Sequence, residues 1–251
     1  MRGPRIASQG GFAEKPIKEP AVVDAKTAMA NSADRIRDFL NRKRRHPSPR
    51  DPSAVSLFSG AGLSDLGYQL AGFRFCVQVE IEESRAAIGR RNFPESMWIV
   101  GDVRESRDAV VRACRQRGVD RLDLLVATPP CQGMSSSNPS RGKRKTPQAK
   151  SHDEKNGLVL AIVPIAKAMR PRLIVTENVR QIRTHTTGQR GHEVRVLDAL
   201  AQCLPTYRFY ETTINVADYG VPQTRCRALV VGVHVACISS AKVAQLKPRR
   251  K

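Results

Sequence analysis

Five short apolar runs, each stopped by a glycine, a proline or an acidic residue, recur between residues 55 and 176 of this chain. Val55-Ser56-Leu57-Phe58 gives way to Ser59-Gly60-Ala61-Gly62, and Phe75-Cys76-Val77-Gln78-Val79 stops at Glu80. Trp98-Ile99-Val100 stops at Gly101-Asp102. Residues 122–127 run into Thr128-Pro129-Pro130-Cys131-Gln132-Gly133, and 173–176 into Glu177-Asn178. Runs this short and this apolar read as strands buried on both faces. Between them the pattern predicts helices over 63–71, 83–92, 106–117, 158–169 and 190–203, with two further strands over 207–215 and 228–235. Strand alternating with helix means an α/β fold: a mostly parallel seven-stranded sheet with helices on both faces. Ligands of such sheets bind beyond the carboxyl ends of the strands. Phe58 and Gly60, Glu80, Asp102, Cys131 and Glu177 all fall there, so the sequence gathers them around one cleft.

The chain has 251 residues, 40% of them hydrophobic, enough for one sizeable α/β domain with tails. We expect a basic, flexible extension over 1–52, with a short helix over 22–41 and the cluster Arg42-Lys43-Arg44-Arg45. The domain itself is expected over 53–237, and a basic tail over 238–251. No run of about 18 apolar residues is present, and no apolar segment follows the first charges. The six cysteines form no C-x-x-C pair and no metal-like spacing with histidine. That argues against zinc and for reduced thiols in a cytoplasmic compartment. The formal charge of +20 points to a polyanionic partner, most simply nucleic acid.

Two constellations carry chemistry. At the first strand end, glycines let a ligand approach the backbone at a helix N-terminus. Glu80, at the next strand end, suits ribose hydroxyls, and Asp102 suits an exocyclic amine. Taken singly these are an ordinary βα turn, a helix cap and a solvated acid; together they describe a pocket for an adenosine-containing cofactor. No Gly-Lys-Ser/Thr follows, so nucleoside triphosphate hydrolysis is unsupported. In the second constellation, two prolines fix the approach to Cys131. A free thiol with a pKa near 8.5 is only a few per cent thiolate at neutral pH, and nearby arginines favour the ionised form. Glu177 can point into the same cleft, and strand alternation puts Arg225 and Arg227 on one face. The alternatives are a buried structural cysteine, a capping Glu-Asn pair and a surface arginine pair.

These motifs, in this order, resemble the DNA (cytosine-5)-methyltransferases over about residues 54–236. The resemblance rests on Leu57 to Gly62, Glu80, Gly101-Asp102, Pro129-Pro130-Cys131-Gln132-Gly133, Glu177-Asn178-Val179, and the stretch from Asp218-Tyr219-Gly220 to Gln223-Thr224-Arg225-Cys226-Arg227. It implies a Rossmann-like, S-adenosylmethionine-dependent methyltransferase fold. It implies S-adenosyl-L-methionine held by Phe58, Ser59, Gly60, Gly62, Glu80, Ile81, Asp102, Val103, Pro130 and Leu158. It implies double-stranded DNA as substrate, with the target cytosine flipped out of the stack. Cys131 would attack C6, Glu177 would bind N3 and the amino group, and Arg227 would contact O2 with Arg225 in support. Gln132, Ser135, Arg141 and Asn178 would contact DNA, the basic loop 134–156 closing over it.

Two departures stand out. Ile81 occupies a position where many relatives carry tryptophan. Nothing over 238–251 matches the target-recognition region and asparagine-containing segment that follow the last motif in full-length members. The resemblance therefore suggests the catalytic subunit of a split modification methyltransferase, a second chain carrying recognition. A truncated non-catalytic DNA-binding remnant and an RNA cytosine-C5 methyltransferase remain alternatives.

Overall fold

The computed structural model describes residues 48–130, 157–187 and 194–238. The chain divides into two units, 1–45 and 46–251, and every described residue belongs to the second. The expected helix over 22–41 and the loop over 134–156 therefore lie outside the described residues, as does nearly all of the expected tail.

The chain order is β1 (Ser53–Leu57), α1 (Leu63–Leu70), β2 (Arg74–Glu80), α2 (Glu83–Asn92), β3 (Met97–Val100), α3 (Arg107–Gln116) and β4 (Leu124–Ala127). After the second described stretch begins come α4 (Val163–Met169), β5 (Leu173–Asn178), the short strands β6 (Thr186–Thr187) and β7 (Val194–Arg195), α5 (Val196–Cys203), β8 (Tyr207–Asn215) and β9 (Cys226–His234). Seven strands form one sheet in the order β3-β2-β1-β4-β5-β9-β8. The first five are mutually parallel; β9 runs antiparallel to β5, and β8 to β9. Strand order reverses direction between β1 and β4, the switch point at which the loops leaving two neighbouring strands diverge and open a crevice. The residues after β1 and after β4 face each other across it.

Both faces of the sheet are covered, unequally. On one face Val55, Leu57, Val77, Val79, Leu125 and Ile174 pack with Val110 and Cys114 of α3, Ile165 and Met169 of α4 and Leu197 and Leu200 of α5. On the other, Ala54, Phe75, Phe93, Leu124 and Val126 form a smaller core with Leu66 and Tyr68 of α1. The β1–β2 register slips between Ala54 and Val55, so that Ser56 stands beside Gln78 rather than beside an apolar residue. That slip places two buried polar side chains together under α1. No helix among the described residues is long and apolar enough to cross a membrane.

Three expectations are refined. The helix predicted over 158–169 is a 3-10 turn (Gly157–Ile162) followed by α4. Pro164 sits in the first turn of α4; its missing N–H and its ring stop an α-helix from running through it, so the regular helix begins at Val163. Of the helix predicted over 190–203, Val194 and Arg195 instead pair with Thr186 and Thr187 in a two-stranded ribbon. The last strand begins at Cys226 rather than 228, because the hairpin partner β8 continues the ladder out to Asn215.

Candidate active site

The turn after β1 is held in an uncommon backbone shape. Phe58 has φ 59°, Gly60 58° and Gly62 79°. Three left-handed residues in five reverse the chain sharply enough to start α1 at Leu63. Phe58 does so without glycine's freedom, at a cost of about 1–3 kcal/mol that the surroundings must offset. The surroundings are specific. Glu80 Oε2 accepts the Gly60 N–H at 2.8 Å, and Asn92 Nδ2 donates to the Ala61 carbonyl at 2.9 Å. The Ser59 hydroxyl donates to the Ser56 carbonyl at 3.0 Å. A side chain at Gly62 would put its Cβ 2.5 Å from the Phe93 ring, so that position is glycine for space as well as for φ. At Gly60 a Cβ would meet nothing within 4 Å, leaving open room above the turn.

Below the turn lies a buried carboxyl. Asp65 of α1 is fully buried and accepts hydrogen bonds from Ser56 Oγ at 2.9 Å and Gln78 Nε2 at 2.7 Å. Burial pushes its pKa up to about 6, against the lowering effect of those bonds and of Ser64. Together Gln78 and Glu80 of β2 brace α1 and the turn from beneath and from the side.

Glu80 is nearly buried, its carboxylate also accepting the Glu82 N–H at 3.0 Å. Each of its oxygens has accepted one donor and keeps a second lone pair. Ile81, next to it, exposes 62% of its surface, a bare apolar face at the cleft. Asp102 follows β3, and Arg104 holds both its oxygens, with Nε donating at 3.1 and 3.0 Å. Those hydrogen bonds hold the Asp102 carboxyl below the usual range.

The other side of the crevice is built from β4, β5 and β9. Thr128 ties the two switch-point loops together: its N–H donates to the Leu57 carbonyl at 3.2 Å and its hydroxyl to the Phe58 carbonyl at 3.0 Å. Pro129 is then fixed by Asn178, whose Nδ2 donates to the Pro129 carbonyl at 3.1 Å while its Oδ1 accepts the Val179 N–H at 2.8 Å. Glu177, on the opposite face of β5, pairs with Arg227 of β9, Nε to Oε1 at 3.0 Å. Both remain partly open, at 34% and 21% side-chain exposure. Arg225 is exposed; its N–H donates to Asn215 Oδ1 at 3.0 Å, which fixes the backbone at the start of β9.

The structure thus brings Phe58, Gly60, Gly62, Glu80, Ile81 and Asp102 to the carboxyl ends of β1, β2 and β3. Pro130, Glu177 and Arg227 stand at the ends of β4 and β5 and the start of β9, and Leu158 is half-buried in the 3-10 turn before α4. Three of the expected site residues spend their side chains within the fold. Asn178 is buried and its side chain is occupied by backbone groups, holding the Pro129 carbonyl. Ser59 spends its hydroxyl on β1. The Val103 side chain lies in the core, which leaves only its backbone to face the cleft. Cys131, Gln132, Ser135 and Arg141 lie outside the described residues. Sequence reasoning passed over Asp65, Gln78, Asn92 and Phe93; a lone glutamine inside an apolar strand was the available signal for the buried pair.

This arrangement can be set against known proteins. The profile of C-5 cytosine-specific DNA methylases matches residues 53–250. The chain belongs to that family. It is 32% identical over 180 residues to the Type II methyltransferase M1.HphI of Haemophilus parahaemolyticus, covering 71% of this chain and 45% of that protein. It is 30% identical over 183 residues to the Type II methyltransferase M.AquIA of Picosynechococcus sp., covering 71% and 70%. The chain thus spans under half of the first relative and most of the second. Among solved structures, a DNA modification methyltransferase encoded within an E. coli prophage superposes with a TM-score of 0.58 at 23% identity, covering 75% of this chain and 49% of that one. The methyltransferase EhMeth of Entamoeba histolytica gives 0.57 at 18%, covering 80% and 57%. At these identities the superpositions speak for the fold alone.

Proposed function

We propose that this chain transfers a methyl group from S-adenosyl-L-methionine to C5 of a cytosine flipped out of double-stranded DNA. The observation that carries the reading is the pairing of Glu177 with Arg227 beside a Pro-Pro turn pinned at the sheet's switch point. A carboxyl and a guanidinium side by side match the N3/amino edge and the O2 of a cytosine. Three features fit the cofactor: the open space above Gly60, the spare lone pairs of Glu80, and the apolar face of Ile81. Glu80 would take the ribose hydroxyls and Asp102 the adenine amine, with Phe58 and the backbone of Val103 alongside. The cofactor supplies an electrophilic methyl group.

The chain's own residues do the rest. Attack of the Cys131 thiolate forms a C6–S bond and breaks the C5–C6 π bond, whose electrons make C5 nucleophilic. A proton shared between Glu177 and N3 compensates the charge that enters the ring, and Arg227 stabilises O2. After C5 has gained the methyl group, loss of its proton restores the double bond and expels the thiolate. Arg225 supports the pocket from its rim, and Gln132, Ser135 and Arg141 contact the DNA.

We also infer a second chain that supplies target recognition, and action in the bacterial cytoplasm, where the DNA is. The test combines this chain and candidate partners with a duplex carrying 5-fluorocytosine, which blocks loss of the C5 substituent. A covalent protein–DNA adduct is expected, together with methyl transfer to normal duplex. Cys131→Ser should abolish both, a loss of more than about a thousandfold. Transfer surviving in Cys131→Ser removes the nucleophile, and full activity of the lone chain removes the partner.

A further inference from the structure

The carboxyl ends of the strands carry the candidate active site; their amino ends carry something else. There β1, β2 and β4 begin beside a cavity of about 390 Å³ lined by Arg50, Arg74, Arg117 and Arg121, and also by three aspartates. A cavity of this size is in the range that takes a small ligand.

The charges do not cancel. Asp123 is engaged: its carboxylate accepts the Ser53 N–H at 2.8 Å and hydroxyl at 3.1 Å, and pairs with Arg172 at 3.3 Å. Asp51 Oδ2 accepts the Ser48 N–H at 2.8 Å, and Asp120 is exposed. The arginines have no such partners. Among the described residues none of the four forms an ion pair. Arg117 Nη1 donates to the Glu95 carbonyl at 2.8 Å and Arg121 Nε to the Arg170 carbonyl at 3.1 Å, contacts that fix the side chains without neutralising them. Arg74 Nε is buried with no hydrogen-bond partner at all. Arg74 lines the cavity as a residue, so its charge adds to that of the other three.

We propose that this cavity is a binding site for a phosphoryl group, at the opposite end of the sheet from the methyl-transfer cleft. Guanidinium forks match phosphate oxygens, and a phosphoryl group accepts donors from several directions where a carboxylate offers one edge. A metal cation would be repelled by four arginines, and an apolar ligand would leave their guanidinium groups without an acceptor. Two sources share the chemistry: a backbone phosphate of DNA, or a small phosphorylated molecule.

The experiment uses the full chain and titrates pyrophosphate at constant ionic strength, read by calorimetry and by phosphorus NMR line width. Saturable one-site binding is expected. Arg74→Met, which keeps the apolar stem, and Arg121→Gln, at an exposed position, should each weaken it at least tenfold. Glu177→Gln, in the distant cleft, should leave it unchanged. Binding that fails to saturate, or that is equally strong in both arginine variants, overturns the proposal. If Arg74→Met does not fold, Arg121→Gln and Arg117→Gln decide. A 20-base-pair duplex is then added to the pyrophosphate complex: displacement identifies DNA backbone as the source, and retention identifies a free phosphorylated ligand.

Discussion

The two sides of the cleft are stiffened in different ways. On the proposed cofactor side, a turn of strained backbone is fixed by Glu80 of β2 and Asn92 of α2, while Asp65 of α1 bonds Ser56 of β1 and Gln78 of β2 beneath it. On the proposed base side, one buried amide, Asn178, carries the Pro129 turn, and Glu177 and Arg227 hold each other. The first is held from several directions, its Asp65 contacts fully buried. The second keeps its charged groups partly exposed, so that on the proposed reading a cytosine would replace a contact each already makes. A cofactor site must present a shape; a base site must trade partners.

The largest effect that tests this contrast is Gly62→Ala. The new methyl group would meet Phe93 at 2.5 Å in a backbone region that L-residues avoid. Overpacking and left-handed strain together should cost roughly 2–5 kcal/mol of stability, with cofactor affinity falling alongside. Chemical denaturation and equilibrium binding measure both; a variant as stable as the parent would mean that the turn is not braced as described. Next comes Asn178→Ala, which strips the Pro129 carbonyl and the Val179 N–H of their buried partner. We expect a loss of about 1–3 kcal/mol, seen as a fall in kcat with cofactor affinity nearly unchanged. If cofactor binding fell equally, the two sides would not be separately supported.

Sequence showed the sheet and the location of the cleft because both follow from local rules. Strand ends such as Val79-Glu80 and Val100-Gly101-Asp102 are marked by an abrupt change from apolar to polar residues. What holds those ends in place was not legible. Asp65 looks like an ordinary acid in a first helical turn until the β1–β2 register slip sets Ser56 and Gln78 around it. Asn178 reads as a surface group beside Glu177, yet strand alternation sends the two to opposite faces, one into the core and one into the cleft. The arginine cavity draws on residues from 50 to 121, a juxtaposition that no single stretch of sequence displays.

A third, smaller effect isolates the bracing beneath the turn. The Asp65 carboxyl, pushed up to about 6, binds its proton more tightly folded than unfolded, where its pKa is near 3.9. The folded state therefore holds more protons between about pH 4 and 6, so stability falls as pH rises through that window and levels off above it. Asp65→Asn carries no proton to lose. Its amide can donate to Gln78 Oε1, an atom now buried without a partner, once the Gln78 amide turns over. The variant should show no such decline and gain on the order of 1–2 kcal/mol at pH 7.5. Melting temperatures of both proteins from pH 4 to 8 make the comparison, and parallel curves would show that Asp65 is not the titrating group.

The smallest effect concerns the one place where the cofactor side behaves like the base side. Asp102 is already held by Arg104, whose side chain is 61% exposed. An adenine amine reaching that carboxylate competes with a guanidinium, whereas at Glu80 a ribose would add to contacts that stay in place. Exposed pairs of this kind are worth under about 1 kcal/mol, so the competition is mild. Arg104→Ala should then tighten cofactor binding by a few-fold and leave the thermal stability within about 0.5 kcal/mol of the parent. Added salt, which screens the pair, should narrow the difference between the two proteins. Weaker binding in the variant would reverse the assignment: Arg104 would be holding Asp102 in position for the adenine, and this corner of the pocket would be braced like the rest.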